Sequence, residues 1–172
     1  MGDDKAWLPN NMQGLRDCGL DVFEYTVTDK SYEQISQDLR DIDLLHVNGG
    51  DYFYLLLQSK KSGFDRFVRE YVDSGKIYIG SSAGSIVTST ETEVARTPGK
   101  DEYAQYLENF KGFGLVDFII FPHWGAENKH AERRKQRVLN AFKEEHKIIL
   151  LNDYQYVQVE GELYRIVDVR NQ

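Results

Sequence analysis

The sequence predicts an α/β fold with a mostly parallel sheet. Two observations predict it. Short apolar segments that suit strands alternate with amphipathic segments that suit helices, which is typical of right-handed βαβ units. The final stretch, YQYVQVEGELYRIVDV, alternates on both sides of an EGE turn, which predicts a C-terminal β-hairpin. At 172 residues, 41% of them hydrophobic, we expect a single domain over residues 1–172.

Helices are indicated by apolar spacing, caps and stops. The opening helix is expected to have Leu15 on its inner face and Gly19 as its stop. Ser31 begins the next helix, with the S-x-x-Q spacing of a capping box to Gln34. The expected helical segments are the first twenty residues, SYEQISQDLRDI from Ser31, YFYLLLQS after Asp51, the amphipathic Phe64–Ser74, and Asn128–Glu145 with Val138, Leu139 and Phe142 facing inward.

Strands are indicated by five apolar or alternating segments. They are Asp21–Val27, Asp43–Val47, the segment that begins at Lys76, Asp117–Phe121 and Lys147–Leu151. The last four lead into polar or glycine-bearing loops, namely Asn48–Asp51, Gly80–Gly84, Pro122–Gly125 and Asn152–Asp153. In an open parallel sheet these loops meet along one edge, where ligands bind.

Residues 91–111 are polar and irregular, and Pro98-Gly99 marks a turn within them. Two interpretations stay open for this segment. It is either a mobile loop over a site or a plain surface excursion.

Composition narrows the class of protein. The formal net charge is −7, from 28 acidic and 21 basic residues, which argues against nucleic-acid binding through a broad basic face. The single cysteine, Cys18, has no internal disulfide partner, which favours a reducing compartment. The acidic start does not resemble a signal peptide, and no apolar run reaches the roughly eighteen residues of a membrane span. We therefore expect a cytoplasmic protein that binds neither nucleic acid nor membranes.

The most informative stretch is KIYIGSSAGS, residues 76–85. It places Ser82 in the strand–turn–helix context of a nucleophile elbow, G-x-S-x-G, with Ser81 as the variable position. Glycines are expected on both sides because Cβ atoms would clash where strand and helix come closest. The pattern alone also suits a plain glycine-rich loop, so its meaning depends on what else lies at the same edge of the sheet.

A serine nucleophile needs a base, and His123 is the expected one. Among the four histidines, it alone follows a buried strand at the functional edge. His46 lies inside a strand and is expected to be packed or to face a neighbouring helix. His130 and His146 lie near the ends of a charged helix, where solvated roles are expected. No pair of histidines has the spacing of metal ligands.

The base needs an acid to orient it, and Asp153 is expected in that role. The chain order of α/β-hydrolases would instead nominate Asp117. At about 3.3 Å per residue, however, an extended strand puts Asp117 roughly 15–20 Å from His123, at the wrong end of the sheet. Asp51 and Glu127 are weaker candidates.

Amide groups for the oxyanion are expected from two places. The pair Gly49-Gly50 lies at a strand-to-helix junction, and Ala83 directly follows the nucleophile. The same NGGD segment also suits a simple turn before a helix, and the two interpretations are compatible.

Together, the segments VNGGDYFYLL, YIGSSAGS and GLVDFIIFPHWG, with the Asp153 loop behind them, resemble peptidase family S51, which includes peptidase E and cyanophycinase. The similarity runs from about Val22 to the C-terminus. The resemblance implies a class I glutamine-amidotransferase-like (flavodoxin-like) fold, which is a three-layer, doubly wound and mostly parallel sheet. It also implies a serine nucleophile, with neither metal nor cofactor. Within this family, peptidase E removes an N-terminal aspartate from peptides, chiefly dipeptides.

The resemblance also assigns roles to single residues. Ser82 matches the nucleophile and His123 the base, while Asp153 falls where peptidase E has a glutamate. The oxyanion amides match Gly50 and Ala83, and Gly49 joins them in the substrate site.

Arg134 falls near the family arginine that is expected to hold the substrate's aspartate side chain. A guanidinium fork suits a carboxylate, which gives the match physical sense. The alternative is a solvated charge at the start of a basic helix, and both interpretations stay open.

The sequence departs from the family at its N-terminus. Family members begin with about two further strands, whereas this sequence starts inside the helix that would follow them. One absent strand would lie in the middle of the sheet, and unpaired strand edges and apolar surface would be left exposed. We therefore expect a homodimer that compensates through strand or edge exchange.

The functional expectation is a serine peptidase of the S51 type that hydrolyses short peptides with N-terminal aspartate. Two alternatives stay open. One is a catalytically silent binding domain that keeps the site as a ligand pocket. The other is an amidohydrolase or esterase with a different carbonyl substrate, since fold and triad do not fix the substrate.

Overall fold

The computed structural model describes residues 8–93, 96, 101–128, 130–143 and 146–171. It is a mixed α/β protein. In chain order its elements are α1 (Leu8–Asp17), α2 (Tyr32–Asp38), β1 (Leu44–Val47), α3 (Tyr52–Ser62), α4 (Phe64–Asp73), β2 (Ile77–Gly80), α5 (Ala83–Ile86), β3 (Ile119–Phe121), α6 (Ala131–Lys143), β4 (Ile148–Leu150), β5 (Gln155–Glu160) and β6 (Leu163–Asp168). Short 3₁₀ helices cover Glu102–Tyr106 and Val169–Asn171.

The strands form pairs. β1 pairs with β2 and β3 pairs with β4, both in parallel, while β5 and β6 form an antiparallel hairpin at the C-terminal end. Within the described residues these are three separate two-stranded sheets. The parallel pairing agrees with the βαβ rhythm of the sequence, and the continuous three-layer, doubly wound sheet stays a prediction.

The main core lies on one face of the β1–β2 pair and collects side chains from α2 to α5. Its fully buried members include Ile35, Phe53, Leu56, Val68 and Val87. The predicted capping box is present at the start of α2, where the side chains of Ser31 and Gln34 each accept a hydrogen bond from the other residue's backbone. α3 ends at Gly63, whose φ of 74° favours glycine.

The opposite face of β2 is open. Ile77 is 57% exposed and Ile79 is 39% exposed, although both belong to a parallel strand. Parallel sheets normally have both faces covered by helices. Within the described part of the chain, this face of the strand pair therefore carries uncovered apolar surface.

The inward face of α6 differs from the prediction. Val138 and Ala141 pack against β3 and β4, as expected for Val138. Leu139 and Phe142 are 53% and 73% exposed, so their predicted inward orientation is wrong. Successive helix residues lie about 100° apart, and the rotation that puts positions 138 and 141 on the strands turns 139 and 142 away.

In the N-terminal part, α1 fully buries none of its described residues, but Leu15 is half-buried, as are Leu8 and Met12 on the same helix face. The predicted strand over residues 21–27 is wrong, because these residues form no strand. A strand requires a neighbouring backbone to complete its ladder, and no described segment supplies one beside residues 21–27. Gly19, with φ 84°, ends α1 as predicted.

The described part of the 91–111 segment is anchored to helices. Its 3₁₀ helix packs on α3, and Ala104 within it is buried. The Asp101 side chain is only 4% exposed; it pairs with Arg133 and lies 3.6 Å from the Arg137 guanidinium, both on α6. The predicted turn at Pro98-Gly99 lies outside the described residues. In the part of the chain that the structure covers, no helix is both long and apolar enough to cross a membrane.

Candidate active site

The turn between β2 and α5 contains only Ser81 and Ser82, and it is sharp. Ser82 has φ 52° and ψ −108°, a backbone conformation that costs an L-residue about 1–3 kcal/mol. Its carbonyl accepts hydrogen bonds from the backbone N–H groups of Ser85 and Ile86, at 3.0 and 3.1 Å, and from the Ser85 hydroxyl at 2.6 Å. These bonds hold the strained residue at the start of the short helix.

The elbow glycines are required by close packing. A Cβ atom on Gly80 would lie 2.5 Å from the carbonyl oxygen of Gly84. A Cβ atom on Gly84 would lie 2.1 Å from the carbonyl oxygen of Val47, on β1. Both distances are far below van der Waals contact, so the prediction that glycines are needed where strand and helix meet is confirmed.

Three predicted side chains lie in a hydrogen-bonded row. His123 Nε2 is 3.1 Å from Ser82 Oγ, and His123 Nδ1 is 2.6 Å from Asp153 Oδ1. An ionised carboxylate only accepts, so Nδ1 carries the proton and donates it, which leaves Nε2 to accept from the serine hydroxyl. The side chains of His123 and Asp153 are 47% and 56% exposed, so a substrate reaches the row directly from solvent.

Backbone bonds tie the two loops that carry His123 and Asp153. The N–H of Trp124 donates to the carbonyl of Leu151 at 2.8 Å, and the N–H of Leu151 donates to the carbonyl of Phe121 at 3.1 Å. His123 itself has φ 61°, a further non-glycine residue in the left-handed region. The turn after β3 is thus hydrogen-bonded to the end of β4. The parallel pairing of these strands sets the distance between His123 and Asp153.

The predicted oxyanion segment lies beside the nucleophile. A Cβ atom on Gly49 would lie 3.1 Å from Ser82 Cβ and 3.5 Å from Ser82 Oγ. Gly50 has φ 131°, which side chains rarely adopt, so glycine is favoured there for conformational reasons. Ala83 is the first residue of α5 and is buried. The Gly49-Gly50 loop and the start of α5 therefore flank Ser82.

The other acids considered from sequence have different places. Asp51 caps α3, where its Oδ1 accepts two first-turn amides at 2.8 and 3.0 Å. Asp117 pairs with Lys147 at the far ends of β3 and β4, as the strand-length argument indicated. Glu127 is exposed in the loop before α6. Among the described residues, no three His, Cys, Asp or Glu side chains are grouped so as to hold a metal ion.

Arg134 is engaged with the loop that follows His123. Its Nη1 donates to Asn128 Oδ1 at 3.0 Å, and its Nη2 donates to the carbonyl of Ala126. The guanidinium is partly exposed. In this structure it braces the loop between β3 and α6.

A cleft of about 390 Å³ opens beside Asp153. Its lining includes Trp124, Gly125, Ala126, Asp153, Tyr154 and Arg170. Arg170 donates to Asp168 at 2.5 Å and lowers the pKa of that carboxyl to about 2. The cleft volume falls within the range of small-ligand sites, about 300–1,000 Å³.

Sequence reasoning missed one contact at the elbow. His46 Nε2 lies 2.7 Å from the hydroxyl oxygen of Ser81, the residue before Ser82. The expectation that His46 is packed in the sheet or faces a helix was incomplete, because its ring reaches the adjoining loop. The parallel register of β1 and β2, which places His46 beside Ile79, was the information needed to find it.

Comparisons with known proteins support a family assignment. Residues 1–167 match the model of peptidase family S51. An uncharacterized peptidase of Listeria monocytogenes is 30% identical over 149 residues, 87% of this chain and 72% of that protein. Peptidase E of Shewanella denitrificans is 32% identical over 137 residues, 78% of this chain and 55% of that protein.

A solved structure gives the same result. The crystal structure of "a Putative Peptidase E Protein from Listeria monocytogenes EGD-e" superposes with a TM-score of 0.80 at 29% identity, over 91% of this chain and 74% of that chain. The chain spans between about half and three quarters of the length of the curated relatives it matches, 54% in one uncharacterized Listeria innocua peptidase and 72% in the Listeria monocytogenes peptidase. With a family match over almost its whole length, this chain belongs to peptidase family S51.

Proposed function

We propose that this chain is a serine peptidase that hydrolyses short peptides, with dipeptides bearing an N-terminal aspartate as the preferred substrates. The observation that carries the proposal is the hydrogen-bonded row from Ser82 through His123 to Asp153. Family membership and relatives named peptidase E support the reaction class.

The proposed reaction follows from the positions of these groups. His123 Nε2 takes the proton of Ser82 as the serine oxygen attacks the scissile carbonyl carbon. Asp153 holds the ring in the required tautomer and stabilises the imidazolium. The tetrahedral oxyanion accepts hydrogen bonds from the amides of Gly50 and Ala83. His123 then gives the proton to the leaving amine, and a water molecule, deprotonated by the same ring, releases the acid and regenerates Ser82.

Substrate choice is proposed to depend on Arg134 and Gly49. A guanidinium recognises a carboxylate through paired, charge-assisted hydrogen bonds, which suits an aspartate side chain. Because Arg134 is bonded to Asn128 and Ala126, a substrate carboxylate would have to displace one of these bonds or bind the exposed edge of the guanidinium. Gly49 leaves room for substrate next to the hydroxyl of Ser82.

The test compares wild type with Ser82→Ala on aspartyl p-nitroanilide and on aspartyl dipeptides. We expect hydrolysis by the wild type and a fall in kcat of about 10⁴-fold or more in the variant, because the attacking atom is removed. Equal rates in the two proteins would remove Ser82 from the mechanism. A fluorophosphonate probe that labels wild type but not Ser82→Ala separates an active serine hydrolase from a silent binding domain.

A further inference from the structure

Two successive residues of β1, His46 and Val47, both bond to Ser81 in the elbow. The hydroxyl oxygen of Ser81 lies 2.7 Å from His46 Nε2, and the backbone N–H of Ser81 donates to the carbonyl of Val47 at 2.9 Å. One contact is made by a side chain and the other by the backbone. Ser81 is therefore fixed both in position and in orientation immediately before the strained Ser82.

The same stretch of β1 leads into the predicted oxyanion segment. Asn48 follows Val47, and Gly49 then packs against Ser82. The amides of Gly50 and Ala83 thus belong to two segments that meet beside Ser81 and Ser82. Catalysis by a pair of amides depends on their spacing, because donors must lie about 2.7–3.1 Å from the oxyanion position. Any contact that fixes one loop against the other fixes this spacing.

A second nucleophile is the alternative explanation of a serine next to a histidine. The ring of His46 argues against it. Burial lowers the pKa of His46, so the ring is neutral near pH 7. Its Nδ1 is buried without a hydrogen-bond partner among the described residues, whereas His123 has Asp153. A buried N–H without an acceptor is rarer than a buried lone pair without a donor, so the proton belongs on Nε2. His46 then donates to Ser81 and does not act as its base.

We propose that the His46–Ser81 hydrogen bond is a clamp that sets the spacing between the nucleophile elbow and the Gly49-Gly50 loop. His46 is thereby a positioning residue, and the inference rests on the proposed peptidase reaction. The clamp acts on the transition state, where the oxyanion meets both amides, and has little effect on the binding of the ground-state substrate.

The experiment is a double-mutant cycle with His46→Leu, Ser81→Ala and the double variant. We expect each single change to lower kcat about 10-fold with KM within about 2-fold, since small misplacements of reacting groups cost up to about 100-fold. Because the two groups make one contact, the double variant should be no slower than the slower single variant. His46→Gln keeps a donor near the Nε2 position and should recover most of kcat.

Ser74→Ala is the matched control. This variant also removes one serine hydroxyl, which donates to the Tyr71 carbonyl at 2.7 Å. Ser74 lies at the end of α4, away from the elbow. It should leave kcat unchanged. The clamp is overturned if the two single effects multiply in the double variant, if KM rather than kcat changes, or if the control loses as much activity as Ser81→Ala. Should His46→Leu not fold, Ser81→Ala and His46→Gln still decide the matter.

A separate readout keeps this inference distinct from the proposed function. If wild type and Ser82→Ala are equally inactive, the peptidase proposal fails, and hydrogen–deuterium exchange then tests the clamp. We expect backbone amides of residues 46–50 and 80–86 to exchange about 10-fold faster in Ser81→Ala than in wild type, because the loops open locally more often. Unchanged exchange in both segments would overturn the clamp whether or not the protein is a peptidase.

Discussion

His123 lies between hydrogen-bond partners from two other segments, Ser82 after β2 and Asp153 after β4. Its role in the proposed reaction depends on which ring nitrogen carries the proton. Asp153 indicates the answer, because an ionised carboxylate can only accept a hydrogen bond, so the ring nitrogen that faces it must donate. The exposed His123–Asp153 hydrogen bond contributes little to folding stability, since even a solvent-exposed ion pair is worth only about 0–1 kcal/mol. The importance of Asp153 should therefore be kinetic.

Asp153→Asn tests this at the scale of one residue. The amide can donate to Nδ1 and so favour the wrong tautomer, and we expect kcat to fall by about 10²–10⁴-fold while the melting temperature changes little. The measurement is steady-state hydrolysis beside a thermal melt. Asp117→Asn is the matched control, because Asp117 is an exposed, ion-paired acid at the other end of β3. Equal kinetic losses in the two variants would contradict a special role for Asp153.

At the scale of elements, the elbow depends on the contact between β1, β2 and α5. Gly84→Ala would push a methyl group to within 2.1 Å of the Val47 carbonyl oxygen. The strand and helix would have to separate, and we expect the free energy of unfolding to fall by about 3 kcal/mol, with loss of hydrolysis. Urea denaturation measures the first and the peptide assay the second.

The control for that prediction is Gly14→Ala. Gly14 lies inside α1, where an added methyl group would have open space around it, and alanine favours a helix over glycine by roughly 1 kcal/mol. Stability should stay the same or rise. If Gly84→Ala is as well tolerated as Gly14→Ala, the close packing described for the elbow is incorrect.

Much of the element pattern could be predicted because its signals are local. The capping box at Ser31, the stop at Gly19 and the glycines of the elbow each follow from short-range geometry. The position of Asp153 beside His123 could also be predicted, because parallel strands bring their carboxyl ends to one edge.

Other features depend on what lies alongside in space, which periodicity does not record. Residues 21–27 have a strand-like pattern but no described neighbour to pair with. Phe142 follows the apolar spacing of α6, yet the rotation of that helix is set by Val138 and Ala141 on the strands. The bond between His46 and Ser81 depends on strand register, which one sequence does not specify.

At the scale of the whole molecule, uncovered surface points to association. The open face of β2 carries Ile77 and Ile79, and residues 21–27, which belong to none of the sheets formed by the described residues, include Phe23 at 55% exposure. Two copies related by a two-fold axis would let each cover the other's open β2 face, with residues 21–27 as the segment available for exchange. We propose a homodimer formed in this way, by strand or edge exchange.

Light scattering at micromolar concentration tests the dimer, with Ile77→Lys as the variant. We expect twice the chain mass for wild type and a shift toward monomer in the variant, because a charge is placed on the apolar face. Arg40→Lys is a suitable control, since the Arg40 side chain is exposed and its described contacts are with the neighbouring Asp41. A monodisperse wild-type monomer would contradict the proposal.

The hydrogen-bonded row also has a consequence for how the protein refolds. Ser82, His123 and Asp153 are separated by 41 and 30 residues along the chain. Closing such long loops costs conformational entropy before any favourable contact is made. Non-local contacts therefore form more slowly than local helices. When denaturant is diluted, the circular-dichroism signal of the helices should therefore recover before hydrolysis of the peptide substrate does. The proposed hydrolysis would thus be a late reporter of folding, because it requires three distant strand ends to have met.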